Sequence, residues 1–280
     1  MKIFSKQSIL ILSLSILGVS FFLKEDKNQK LPLYKPAYFF EKQSNFSPLD
    51  TTFDPSILGS KKFTYLGQGL QSVAFENEDK TIVLKFFIKN KIRSKSHQLK
   101  ASLNFFSDKS RKQDKKKNKL KKLIQNYAMY FDKLQEHSSV IAIQSGQFST
   151  EPLIVELIDP EFKAEKIDLN QYAFVIQKKA DLFLDKIQSQ TTLEDKKAYV
   201  QLMKEFLKKR AENGFTDVKR TMSMEKNYGF IGELPVQFDI GNVINKPQIE
   251  KSPEDEIQEI TALFDLFLKN NGLNELVSLD

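Results

Sequence analysis

A chain of 280 residues that is 40% hydrophobic, with Phe at 24 positions, has the apolar mass for a proper core and the length for one domain or two lobes. It has no Cys, which excludes disulfides and thiolate metal sites, and only two His, His97 and His137, both in polar or charged settings, which argues against a Ser-His-Asp triad or a multi-His metal centre. The net charge of +7 is local: Lys89 to Lys122 holds 14 Lys or Arg and two Asp, a net of +12, so the remainder of the chain stands at −5.

At the N-terminus, Lys2 and Lys6 precede an uncharged run of 16 residues, Ser8 to Leu23, close to the lower limit for spanning a bilayer. It fits a signal peptide, with Gly18 and Ser20 as the small cleavage-site residues, or an uncleaved anchor. Phe21-Phe22-Leu23 extend the apolar run past that site and favour the anchor. The expectation is a membrane-associated, single-pass protein tethered through residues 8–23. The side of the membrane stays open. The Lys count (two before the segment; Lys24, Lys27, Lys30 and Lys35 after it) favours a cytoplasmic body, whereas an ordinary signal-anchor would put it outside. Residues 24–60, with Pro32, Pro36, Pro48 and Pro55 and no sustained period, read as a linker.

From Lys61 to Phe87 the pattern is strand, glycine turn, strand, polar turn, strand. Phe63, Tyr65 and Leu66 lead into Gly67-Gln-Gly69; Val73, Ala74 and Phe75 return; Asn77 to Lys80 turn; Ile82 to Phe87 form a third strand. Two glycines at a hairpin tip allow close backbone approach. Lys85, inside an apolar strand, must find an anion or reach solvent. After the basic stretch, an amphipathic helix is expected from about Asn118, with Leu120, Leu123, Ile124, Tyr127, Ala128, Phe131 and Leu134 as its stripe. Strands follow at Ser139–Ile143, Pro152–Ile158 and Tyr172–Gln177. Thr191 with Glu194 makes a capping box for a helix whose core stripe is Ala198, Leu202, Met203, Phe206 and Leu207, stopped by Gly214. Two short strands flank Gly232-Glu233, and the second, Val236–Phe238, runs into Asp239-Ile-Gly241. Ser252 and Pro253 open a last helix, with Ile257, Ile260, Leu263, Phe264 and Phe267 inward and Asn271-Gly272 at its end.

The basic stretch Lys89–Lys122 has three readings: a solvated face, a site for anionic lipid headgroups that the membrane segment supports, or a nucleic-acid contact. Phe105 and Phe106 lie in it, but no nucleic-acid-binding module is recognisable.

Taken in order, a glycine hairpin, a strand Lys, a helix, further strands, another helix, then Asn227 and a hairpin ending in Asp239-Ile-Gly241 resemble the protein-kinase-like superfamily over roughly residues 60–245. They also resemble divergent bacterial members with an N-terminal hydrophobic segment. The resemblance implies an α+β, two-lobed protein-kinase-like domain: residues 61–178 as an N-lobe-like sheet with a basic insertion and a helix, and residues 179–280 as a reduced helical C-terminal lobe, preceded by an N-terminal hydrophobic helix. It implies ATP held by Gly67, Gly69, Ser72 (where the third glycine usually stands) and Lys85, with Phe174–Lys178 as the hinge strand and Mg²⁺ held by Asn227 and Asp239. The sequence also departs from the pattern. Met222 stands five residues before Asn227, where the family has its catalytic Asp; the nearest upstream acid is Asp217, in Gly214-Phe-Thr-Asp217. Candidates for the usual Glu partner of Lys85 are Asp132 and Glu136. Only about 40 residues follow Asp239, too few for a peptide-binding platform. Two readings follow: a nucleotide-binding phosphotransferase with Asp217 as base, or a pseudokinase, which the missing base and the short lobe favour. A third is an extracytoplasmic or membrane-associated structural or interaction protein that binds no nucleotide.

Overall fold

Three antiparallel strands, β1 (Lys62–Gln68), β2 (Ser72–Asn77) and β3 (Ile82–Phe87), form the centre of the computed structural model. The structure describes residues 39–41, 51–69, 71–88, 109–146, 151–217, 224–241, 243–245 and 252–277, all within the compact unit Lys35–Asp280. The apolar run before Lys24 and the first part of the basic stretch lie outside the described residues. Among the described residues, no helix is long and apolar enough to cross a membrane.

The three strands form where expected, with β2 alternating between buried and half-buried residues and β3 buried along its whole length. Both of its faces are covered. On one, Phe87 meets Tyr127 of α1 (Lys109–Leu134), with ring centroids 5.6 Å apart. On the other, Phe39 stacks on Phe86 at 4.3 Å, and Phe75 and Phe174 pack edge-on or tilted around Phe86. Phe39 and Phe40 belong to the stretch expected as a linker; both are buried, and single bridges tie Phe39 to Ile88 and Glu41 to Tyr172. Thr51 likewise pairs with Ile143. Prolines without periodicity signalled an irregular backbone, and irregular backbone carrying Phe is used here as a cover.

α1 begins nine residues before the amphipathic pattern, and its buried stripe includes Tyr130 and Asn126 beside the expected Leu120, Leu123, Ile124, Tyr127 and Leu134. It leads through a 3-10 turn into β4 (Val140–Gln144). Then come β5 (Ile154–Ile158), β6 (Ala164–Asp168) and β7 (Phe174–Lys178). The sheet has seven strands in the order β4-β7-β3-β2-β1-β5-β6, antiparallel except where β1 runs parallel to β5. β6 is an edge strand whose first three residues are exposed, including Glu165 and Lys166, so it carries almost no apolar pattern.

The second half is α+β rather than purely helical: β8 (Asp181–Leu182), α2 (Phe183–Gln188), α3 (Leu193–Glu212), β9 (Phe215–Asp217), α4 (Met224–Asn227), β10 (Tyr228–Ile231), β11 (Leu234–Gln237), β12 (Val243–Asn245) and α5 (Pro253–Asn270). α3 is capped by Thr192, not Thr191: its hydroxyl accepts from the Asp195 N–H and donates to the Asp195 carboxylate. Its buried face is Val200, Met203, Lys204, Phe206, Leu207, Arg210 and Ala211, while Ala198 is exposed. The stripe differs from the expected one because two cations are taken inside. Lys204 pairs with Asp265 of α5 at 2.9 Å, and the Arg210 Nε–H donates to Gln237 Oε1 at 3.0 Å. α5 is capped by Ser252 and Asn271 as expected, burying Ile260, Phe264 and Leu268.

Among the described residues, two apolar clusters lie beyond the Phe39–Phe86 face of the sheet. One joins α1 to Phe87, Val140, Ile143 and Val175 of the sheet and takes in Phe215, Ile240 and Val243. The other gathers α2, α3, β10 and α5 around Phe183, Phe206, Tyr228 and Phe264.

The turn between β2 and β3 is held by one buried side chain. Asn77 Oδ1 accepts from the N–H groups of Thr81 and Ile82, and Nδ2 donates to the Leu58 carbonyl and to Thr81 Oγ1. Asn77→Ala removes all four bonds and orphans the buried Ile82 N–H. We expect a loss of about 2–3 kcal/mol, read as a lower denaturant midpoint at unchanged slope.

Candidate functional site

Lys85 sits mid-strand in β3, between Ala74 of β2 and Val175 of β7. Its side chain is 7% exposed and reaches the far half of the chain, where Nζ donates to the Phe238 carbonyl at 2.8 Å. The same carbonyl accepts from Gln177 Nε2 at 2.9 Å, and that amide also donates to Ser139 Oγ. Gln177 is on β7, opposite Val83, and is itself buried. The other side of the Phe238 peptide is fixed too: its N–H donates to the Asn227 carbonyl at 2.9 Å, one step beyond the Tyr228–Gln237 pair of the β10–β11 hairpin. Phe238 therefore delivers the next residue, Asp239, to a place set by β3, β7 and the end of α4. The hairpin itself turns at Gly232, whose φ of +66° suits the first position of a two-residue turn.

α1 holds the rest of the turn. Asn126 Nδ2 donates to the Gly241 carbonyl at 3.3 Å, and the Tyr127 phenol stands against the Ile240 N–H. Burial raises the Tyr127 phenol well above its ordinary range, and the neighbouring Asp239 charge adds to this; the Ile240 N–H opposes it. Tyr127 is thus a neutral hydroxyl beside the Asp239 carboxylate. Asp132 and Glu136, the acids expected to pair with Lys85, are exposed, and Glu136 lies 3.9 Å from Lys209. Asp132 lies off the inward face of α1, which runs through Leu123, Asn126 and Tyr127, and Glu136 lies past its end, in the 3-10 turn Gln135–His137. Lys85 has a carbonyl and the nearby charge of Asp239 in their place.

The glycine turn is tighter than its sequence suggests. Gly67 lies within the ladder, opposite Ala74, after an irregularity at Leu66; the tip proper is closed by Gly69 N–H donating to the Ser72 carbonyl at 2.8 Å. Ser72 itself pairs with Phe87. A Cβ on Gly67 would meet nothing within 4 Å, and one on Gly69 only the Ser72 oxygen at 3.9 Å, so folding does not require glycine at either position. At Gly241 the space is taken: a Cβ would stand 2.1 Å from Gln71 Oε1, the end of a flexible side chain.

The fold thus brings together Lys85, Asp239, the backbone of Asn227 and the glycine turn through Gln71. Of Asp217 only the backbone is described; it pairs with Val243 in the β9–β12 ladder. Four residues around the site were not singled out as site residues by sequence: Gln71, Asn126, Gln177 and Tyr127, the last expected only in the core stripe of its helix. Gln177 carried the same signal as Lys85, a polar side chain inside an apolar strand. Among the described residues, no group of three or more His, Asp or Glu could hold a metal ion. A cation at Asn227 and Asp239 would draw its remaining ligands from water or a phosphate, which is how Mg²⁺ is commonly held. No family model matches the chain, and no curated protein matches it.

Burial holds the Lys85 amine below its ordinary value of 10.5, partly offset by the charge of Asp239. In the unfolded chain the amine keeps its proton to higher pH. Between the two values the unfolded state binds more protons, so this group's contribution to stability rises with pH. Lys85→Met has no such titration. The stability of wild type relative to Lys85→Met, from chemical unfolding, should increase as pH rises toward 10.5 from below; a difference independent of pH contradicts the buried amine.

Proposed function

We propose that this chain is a kinase-like nucleotide-binding protein, tethered to a membrane through residues 8–23, that binds Mg·ATP without transferring phosphate: a pseudokinase. The observation that carries the reading is the convergence of the β3 lysine on the peptide that presents Asp239. Lys85 and the Asp-x-Gly turn come from opposite halves of the chain and meet at one carbonyl. Supporting it are the order of the elements, the burial of Ile240 of the Asp-x-Gly turn in the core that α1 organises, and two glycines that the fold leaves without a steric reason. In this reading Lys85 and the amides near Gly67, Gly69 and Ser72 face the phosphates, and Asn227 and Asp239 hold Mg²⁺. Among the described side chains of α1, those facing the Asp239 turn include no acid, so the lysine–glutamate pair that active kinases require has no counterpart there. Contact of Lys89–Lys122 with anionic lipid belongs to the same proposal.

A second reading, an interaction module that binds no nucleotide, draws on one observation: the Lys85 ammonium already has an internal acceptor. Calorimetric titration of the full chain with Mg·ATP separates the two. We expect saturable binding that requires Mg²⁺ and weakens at least tenfold in Asp239→Asn, the ~1.4 kcal/mol that corresponds to one lost charge-assisted contact. Lys85→Ala should weaken it as well. No binding at millimolar nucleotide selects the interaction module. Phosphate release that Asp217→Asn abolishes would overturn the pseudokinase assignment in favour of a phosphotransferase.

A further inference from the structure

Resting on the nucleotide-binding reading, we infer that Gln71 is an internal latch that closes the glycine turn onto the Asp239-Ile-Gly241 turn, so that nucleotide is admitted only when this side chain swings out. The geometry is specific. The Gln71 amide oxygen occupies the space a Cβ of Gly241 would take, 2.1 Å from that position, with its Cδ at 3.3 Å; Leu123 Cδ2 closes another side at 3.3 Å. Both backbones are anchored. The Gln71 carbonyl accepts from the Ile88 N–H at 2.9 Å, and the Gly241 carbonyl accepts from Asn126. The movable part of the contact is the Gln71 side chain alone.

This contact also explains the glycine. Gly241 is not among the glycines with positive φ, so its backbone would admit Ala, and the nearest atoms a methyl group would meet there belong to Gln71 and Leu123. Gly241 thus serves as the seat of the latch. In the proposed site the phosphates lie between the glycine turn and Asp239, the gap that Gln71 bridges. A neutral amide suits a releasable contact, because a phosphate offers the surrounding donors charge-assisted bonds in exchange.

Two measurements on the full chain test this. The first needs no nucleotide: amide hydrogen exchange at the β1–β2 tip and at Ile88 should speed up in Gln71→Ala, with the centres of β3 and β7 unchanged. Unchanged exchange at the tip overturns the latch, whatever nucleotide does. The second is Mg·ATP titration. Gln71→Ala should bind about three- to tenfold more tightly, because a closed fraction no longer has to be opened. Gly241→Ala should gain similarly by expelling Gln71 and should add nothing in the Gln71→Ala background, a non-additive cycle. Weaker binding by Gln71→Ala would make Gln71 a ligand-contacting residue and overturn the latch. Faster exchange at the tip with no Mg·ATP binding by either protein sinks the nucleotide reading but leaves the latch as a clasp of a closed core.

Discussion

The carbonyl oxygen of Phe238 takes two hydrogen bonds from the sheet, one from a buried ammonium and one from a buried amide. Burying the Lys85 amine is unfavourable unless its charge is answered, and here it is answered by a carbonyl dipole and by the charge of Asp239 nearby. Because the donors stand on β3 and β7 and the acceptor follows β11, this contact fixes the β10–β11 hairpin against the sheet. The Asn227–Phe238 bond adds the end of α4 to the same point. The position of Asp239 is therefore determined by three separate parts of the chain.

α1 completes the arrangement by packing rather than by charge. Its inward face meets Phe87 on the sheet through Tyr127 and brings Leu123, Asn126 and Tyr127 to Gly241 and Ile240. Phe215, Ile240 and Val243 join the core that α1 organises, so the residues around the Asp-x-Gly turn are buried with the first half of the chain. Displacing α1 would disturb the sheet and the turn together. The lysine bonds to backbone, at the Phe238 carbonyl.

Much of this was legible in the sequence. β1 to β3, the strand lysine, the hairpin at Gly232 and the Ser252 cap are local features, set by alternation, turn chemistry and capping. What was not legible depends on distant partners. Phe39 reads as part of a proline-rich linker until Phe86 is there to receive it. β6 has Ile167 as its main apolar residue and is a strand because β5 pairs with it. The face of α3 is legible in Met203, Phe206 and Leu207, which are buried as expected, but not in Lys204 and Arg210, whose partners Asp265 and Gln237 come from later elements. The site divides the same way: Lys85 and Asp239 stood out as residue types, whereas Gln71, Asn126 and Gln177 are common polar residues whose roles exist only in three dimensions.

A nucleotide is a polyanion, and Lys89–Lys122 is basic enough to attract one without any site. The most direct measurement therefore locates the metal. With Mn²⁺ replacing Mg²⁺, paramagnetic broadening of amide signals in the full chain on adding ATP should be centred on residues 227–228 and 238–241 and extend to Gly67–Ser72. Broadening confined to Lys89–Lys122, or none, would contradict a nucleotide site built on Lys85 and Asp239.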